Sequence, residues 1–133
     1  MTAKAREGLL AFDGSRRAAA RYVDGLSPSK LFSPAREVAI ADAMRASPAA
    51  WRDWVLSGSQ QDCSDEIGTL DLPTLVIAGA DDPSLGAAVQ RSQVLPHFKN
   101  ARLITVAGGH ALPLENPVAV RTHLERFAKG ISS

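Results

Sequence analysis

The residues in this sequence best suited to acid–base chemistry sit in two glycine-containing loops, Gly79-Ala80-Asp81-Asp82-Pro83 and Gly108-Gly109-His110. Each loop follows a short apolar run, Thr74–Ala78 (TLVIA) and Arg102–Val106 (RLITV). If these runs are neighbouring parallel strands, both loops leave the same edge of the sheet, where ligands and catalytic groups gather in open α/β sheets. An aspartate and the histidine then meet in space although they are distant in sequence. A carboxylate beside an imidazole fixes the ring's tautomer and supports a positive charge on it, the accessory half of a nucleophile–His–acid triad. The glycines let the chain turn sharply and keep the loop backbone uncrowded. The plainer reading of Asp-Asp-Pro is a turn that ends a strand.

Other polar residues carry less. Asp81 reads as a solvated turn residue, and Ser84, after Pro83, as the cap of the helix that follows. His97 suits a helix C-terminus, and His123, among Arg121, Thr122 and Glu125, a solvated helical face. Asp81, Asp82, His97 and His110 lack the compact spacing of a metal site, so neither metal nor cofactor is expected. Cys63 has no strand-turn-helix context and no neighbouring histidine, and reads as inert. Trp51 and Trp54 share a helical face with Val55. Such a stripe is either packing or pocket lining, and the two tryptophans are the candidates for substrate contact.

These residues need elements to position them. Unbroken hydrophobicity in TLVIA predicts a strand covered on both faces, as in parallel sheets. Two parallel strands need a right-handed crossover, and a helix over residues 85–95 supplies it, with Leu85, Ala88, Val89, Ser92 and Leu95 on one face. Ser84 stands at its start. Asn116 caps a last helix opened by Pro117, with Val120, Leu124 and Phe127 turned inward and Gly130 closing it. Residues 1–62 read instead as helices with short punctuation and no strand. Ser15 precedes an Ala/Arg-rich helix that stops at Gly25, and Ser33-Pro34 and Ser47-Pro48 each place a capping side chain before a proline. The expected organisation is therefore a helical segment over 1–66 and a β-α-β-α unit over 67–133. Two strands are too few for a doubly covered parallel sheet. The second half thus reads as the tail of a larger sheet whose first strands lie elsewhere, or as a surface that self-associates.

Composition limits the function classes. The chain has 133 residues, 45% hydrophobic and 22% charged, as in ordinary globular proteins. Fifteen basic and 14 acidic residues leave a formal net charge of +1, with no footprint for nucleic acid or an anionic membrane. No apolar run approaches the ~20 residues that span a bilayer. The N-terminal MTAKAREGLLAF has no signal-peptide pattern, and one cysteine precludes an internal disulfide and fits a reducing compartment. The expectation is a cytoplasmic protein with a small-molecule partner.

The segments DLPTLVIAGADDP and ARLITVAGGH, followed by Leu114-Glu115-Asn116-Pro117, resemble the C-terminal part of the α/β-hydrolase family, closest to its small esterase and enol-lactonase members. The resemblance implies the acid on Asp82 rather than Asp81, three residues after the glycine that ends its strand, and the catalytic histidine on His110. Glu115, five residues after that histidine, also matches. Residues 1–62 resemble, more faintly, the helical cap inserted ahead of the acid strand. The implied fold is an incomplete α/β-hydrolase of helical cap segment and two parallel strands.

The departures bear directly on function. The nucleophile elbow Gly-x-Ser-x-Gly is absent; Ser57-Gly58-Ser59 and Gly14-Ser15 come nearest, and neither follows a strand. The oxyanion-hole loop and most of the family's strands have no counterpart, and Gln60-Gln61 stands where the family usually has an arginine. Two functions stay open. One is the acid/histidine part of a serine hydrolase acting on a small ester, lactone or related acyl bond, inactive without a nucleophile from elsewhere. The other is a non-catalytic remnant that binds a ligand or a subunit.

Overall fold

The computed structural model describes residues 3–26 and 31–131. The chain divides into two compact units, one of Phe32–Cys63 with the chain up to Gly25, the other formed mainly from Ser64 onward.

The first unit is helical: α1 Ala3–Leu10, α2 Arg16–Leu26, α3 Ser33–Met44 and α4 Pro48–Leu56, followed by a 3-10 turn over Gly58–Gln60. Capping explains two of the starts. Ser15 Oγ accepts from the Ala18 backbone N–H at 3.2 Å, and Ser47 Oγ from that of Ala50 at 3.4 Å. The α3 start departs from expectation: Phe32 occupies the N-cap, and Ser33 and Pro34 are already helical. Nor does Gly25 close α2, which runs on to Leu26. Ala18, Ala19 and Val23 on α2, Ile40 on α3 and Val55 on α4 are buried and form this unit's core. The i, i+4 spacing of Ala19 and Val23 puts both on one side of α2. Salt bridges join α2 to α3 at the surface, with Arg36 Nε 2.7 Å from Asp24 Oδ1 and Arg16 paired with Glu37.

The second unit holds a short helix α5 (Ser64–Ile67), strand β1 (Leu70–Gly79), the crossover, strand β2 (Phe98–Val106), α7 (Leu112–Glu115) and α8 (Pro117–Ile131). β1 and β2 are parallel, in continuous register from Pro73↔Asn100 to Gly79↔Val106. Both strands start four residues earlier than their apolar runs. On β2 the extra length carries Lys99 and Asn100, and Asp71 stitches it: Oδ1 accepts from Asn100 Nδ2 at 2.7 Å, and Oδ2 lies 3.4 Å from Lys99 Nζ. Pro73 stands at the register shift between Leu70 and Pro73, and among the described residues β1 pairs with β2 alone.

Coverage of the sheet is thinner than the apolar run predicts. Thr74 to Ile77 are half-buried, and only Ala78 and Gly79 of β1 are buried. The crossover is not the regular helix expected over 85–95. It has a turn at 83–85, one α-turn α6 at Ala87–Val89, a π-turn at Gln90–Val94 and a 3-10 turn at Leu95–His97. Ser84 does not cap it; Gly86 holds the N-cap position without a side-chain bond. Leu85, Ala88 and Ser92 are exposed, so the expected apolar face does not form.

Asn116 Oδ1 does cap α8, accepting from the Ala119 N–H at 3.2 Å. The helix then continues past Gly130 to Ile131. Val120 and Phe127 are half-buried as their spacing predicts, whereas Leu124 is 50% exposed and His123, expected in solvent, is half-buried. The buried stripe of α8 is therefore rotated away from Leu124 toward His123. Among the described residues no helix is long and apolar enough to cross a membrane.

Candidate active site

Parallel pairing brings both glycine loops to one edge. The Gly79↔Val106 pair ends the ladder, and the Ala80 N–H continues it by donating to Val106 O at 2.8 Å. The Asp81 N–H donates to Gly108 O at 2.9 Å, so the two loops are joined through their backbones. Gly79 is required at this crossing. A Cβ there would lie 2.5 Å from the carbonyl oxygens of both Gly108 and Gly109, which belong to backbone and cannot move aside. Gly108 turns the second loop at φ +138°, a conformation other residues rarely adopt.

The loops place Asp82 against His110. Asp82 Oδ2 is 3.0 Å from His110 Nδ1, and Oδ1 accepts from the backbone N–H groups of Ser84 at 2.8 Å and Leu85 at 3.0 Å. These two bonds also explain the broken crossover, because they draw residues 83–85 into a turn about the carboxylate. The Asp82 side chain is 7% exposed and the His110 ring 40% exposed. Burial pushes the Asp82 carboxyl up, but the N–H groups of Leu85 and Ser84, together with His110, outweigh it and hold the carboxyl below its ordinary value. At neutral pH the carboxylate is therefore ionised and can only accept. Nδ1 must then carry the proton it shares with Asp82, which leaves the Nε2 lone pair as the basic site. Asp81 is exposed, and its contact with the second loop is through its backbone.

Glu115 braces the histidine loop. Its Oε2 accepts from the Gly109 N–H at 2.7 Å and its Oε1 from the Ala111 N–H at 3.0 Å, one bond on each side of His110. Asn116 Nδ2 adds a bond to Ala107 O at 2.9 Å. Sequence reading noted Glu115 only as part of a resemblance and gave it no task. The available signal was an acidic residue one short helical turn beyond a glycine-histidine loop. Because Glu115 takes the N–H groups beside His110, neither of them is free to hold an oxyanion.

His97 Nδ1 is 3.3 Å from Gly68 O, and Cys63 is exposed. Among the described residues no three His, Cys, Asp or Glu side chains gather as a metal site. Trp51 and Trp54 line a solvent-open depression in the helical unit, with Tyr22, Ala46, Ser47 and Ala50. Trp51 is largely committed to packing: it stacks on Phe12 with centroids 4.5 Å apart, meets Tyr22 edge-on at 5.0 Å and donates its indole N–H to Leu9 O at 2.8 Å. Trp54 is 51% exposed and has free ring surface.

Solved hydrolases share this fold. A hydrolase from Pseudomonas aeruginosa PA01 superposes with a TM-score of 0.69 and 22% identity over 94% of this chain and 48% of its own. A serine hydrolase involved in carbazole degradation gives a TM-score of 0.69 and 18% identity over 89% of this chain and 48% of its own. A membrane phospholipase A described as a bacterial virulence factor gives 0.67 and 19% identity over 93% of this chain and 41% of its own. The chain thus spans about half, or less, of the length of these structures, and its fold corresponds to part of the fold of these hydrolases. No protein-family model and no curated protein matches it.

Proposed function

We propose that this chain supplies the acid and histidine of a serine hydrolase acting on a small ester, lactone or related acyl bond. The observation that carries this reading is the 3.0 Å contact between a buried Asp82 carboxylate and Nδ1 of a partly exposed His110. Asp82 orients the ring and stabilises the imidazolium. His110 Nε2 takes the proton from an attacking serine hydroxyl and returns it to the leaving group. The serine and the oxyanion donors come from polypeptide outside these 133 residues, since no Gly-x-Ser-x-Gly occurs among them. Trp54, with its exposed ring, is the better placed of the two tryptophans to meet an apolar acyl or alcohol group.

The test is co-expression of this chain with the coding sequence immediately upstream of it, assayed on short-chain nitrophenyl esters and lactones. Hydrolysis abolished by His110→Ala is the expected result; hydrolysis indifferent to His110 refutes the reading. A second reading, a non-catalytic ligand-binding or subunit-association module, is favoured by the lack of a nucleophile. It predicts that no upstream frame encodes a Gly-x-Ser-x-Gly elbow and that His110→Ala leaves binding intact.

A further inference from the structure

Resting on that reading of the site, we infer that Glu115 is a positioning residue for His110, setting the angle at which the imidazole meets Asp82. A histidine on a loop is only as well aimed as its own backbone. Here the residues on both sides of His110 are held by one side chain, through Gly109 N–H to Oε2 at 2.7 Å and Ala111 N–H to Oε1 at 3.0 Å. An ionised carboxylate makes such bonds shorter and stronger than a neutral acceptor does. The bidentate grip fixes the peptide that leaves His110 and the one before the peptide that enters it, and so limits the direction of the Cα–Cβ bond between. Glycine at position 108 serves this loop through its φ of +138° and its closeness to Leu112, whose Cδ1 would lie 2.6 Å from a Cβ there. Glu115 ends α7, and its own N–H donates to Ala111 O at 3.1 Å while its Oε1 accepts from the Ala111 N–H, so side chain and loop form one closed ring of bonds.

Glutamine at this position keeps the length and one acceptor oxygen but puts an N–H2 where the second must be. It therefore faces a backbone donor with a donor and must release one of the two peptides. Alanine releases both.

The test follows the His110 ring by long-range proton–nitrogen correlation in the full 133-residue chain, above the pH at which the imidazole titrates. Wild type is expected to show the Nδ1–H tautomer with a deshielded Nδ1 proton. Glu115→Gln weakens that preference and Glu115→Ala removes it, with Asp82 still in place. Asn116→Ala is the control for general loosening, because it deletes bonds to Ala107 O and Ala119 N in the same segment; it is expected to retain the wild-type tautomer. A tautomer unchanged in Glu115→Ala, or lost equally in Asn116→Ala, overturns the inference and leaves the Asp82–His110 pair standing. A wild-type ring with no Nδ1–H preference overturns the pair itself, and the inference with it. Should Glu115→Ala not fold, the isosteric Glu115→Gln decides, and an unchanged tautomer in that variant refutes the positioning role.

Discussion

Asp82 divides its carboxylate between two tasks, Oδ1 holding the turn that leaves β1 and Oδ2 facing the imidazole. Replacing it with asparagine removes the charge that supports the imidazolium and presents an amide that can settle the ring in the wrong tautomer. On the proposed reading, Asp82→Asn is expected to cost on the order of 10³–10⁴ in turnover, while Asp81→Asn costs little, as steady-state assays of the co-expressed protein can establish. The same carboxylate makes stability depend on pH. Its folded-state pKa lies below the ordinary value of 3.8, so the unfolded chain binds more protons in the acid range. The stabilisation is complete above that ordinary value and is lost as pH falls through the lower folded value. Between about pH 5 and pH 2 the melting temperature of Asp82→Asn should therefore fall less than that of wild type, as acid-series calorimetry would reveal.

At the scale of elements, the close approach at Gly79 governs how β1 and the histidine loop fit together. Gly79→Ala forces a Cβ to 2.5 Å from two backbone oxygens and should destabilise by at least ~1–3 kcal/mol, the usual range for overpacking. Gly130→Ala meets nothing within 4 Å near the end of α8 and is expected to stabilise, by about 0.5–1 kcal/mol. Urea titrations of the two variants should thus move in opposite directions. Ser47→Ala removes the hydroxyl that caps α4 and should lose about 1 kcal/mol in the same experiment.

For the molecule as a whole, the sheet has two strands among the described residues and is thinly covered. Leu72 is 58% exposed, Leu85 47% and Val118 66%, and both outer strand edges are unpaired among the described residues. Apolar surface beside free strand edges favours association with another polypeptide. The isolated chain is expected to elute as concentration-dependent oligomers, to bind a hydrophobic dye and to resist labelling by a serine-directed fluorophosphonate. A dye-silent monomer with a cooperative melt would contradict the first two, and stoichiometric labelling of any serine the third.

The parallel strands and the edge on which Asp82 and His110 meet were legible in the sequence, because the signals are local. Short apolar runs mark strands, and glycine, proline and aspartate mark the turns that end them. The caps at Ser15, Ser47 and Asn116 were legible for the same reason: each donor lies three residues from its acceptor. Contacts closed across the fold were not. The early starts of both strands depend on Asp71 reaching Lys99 and Asn100, some 28 residues away. The crossover lost its regular helix because Asp82, bound to His110, also gathers the backbone N–H groups that would have begun it. The stripe that α8 buries was misjudged at Leu124 and His123, since spacing gives a helix its faces but only its neighbours choose among them. Glu115 acquired its two partners only when the loop around His110 had folded back on α7. Residue order thus determined which groups stand at the sheet's edge, and tertiary structure decided how they are held, because a carboxylate's partners are backbone amides whose directions exist only in the folded chain.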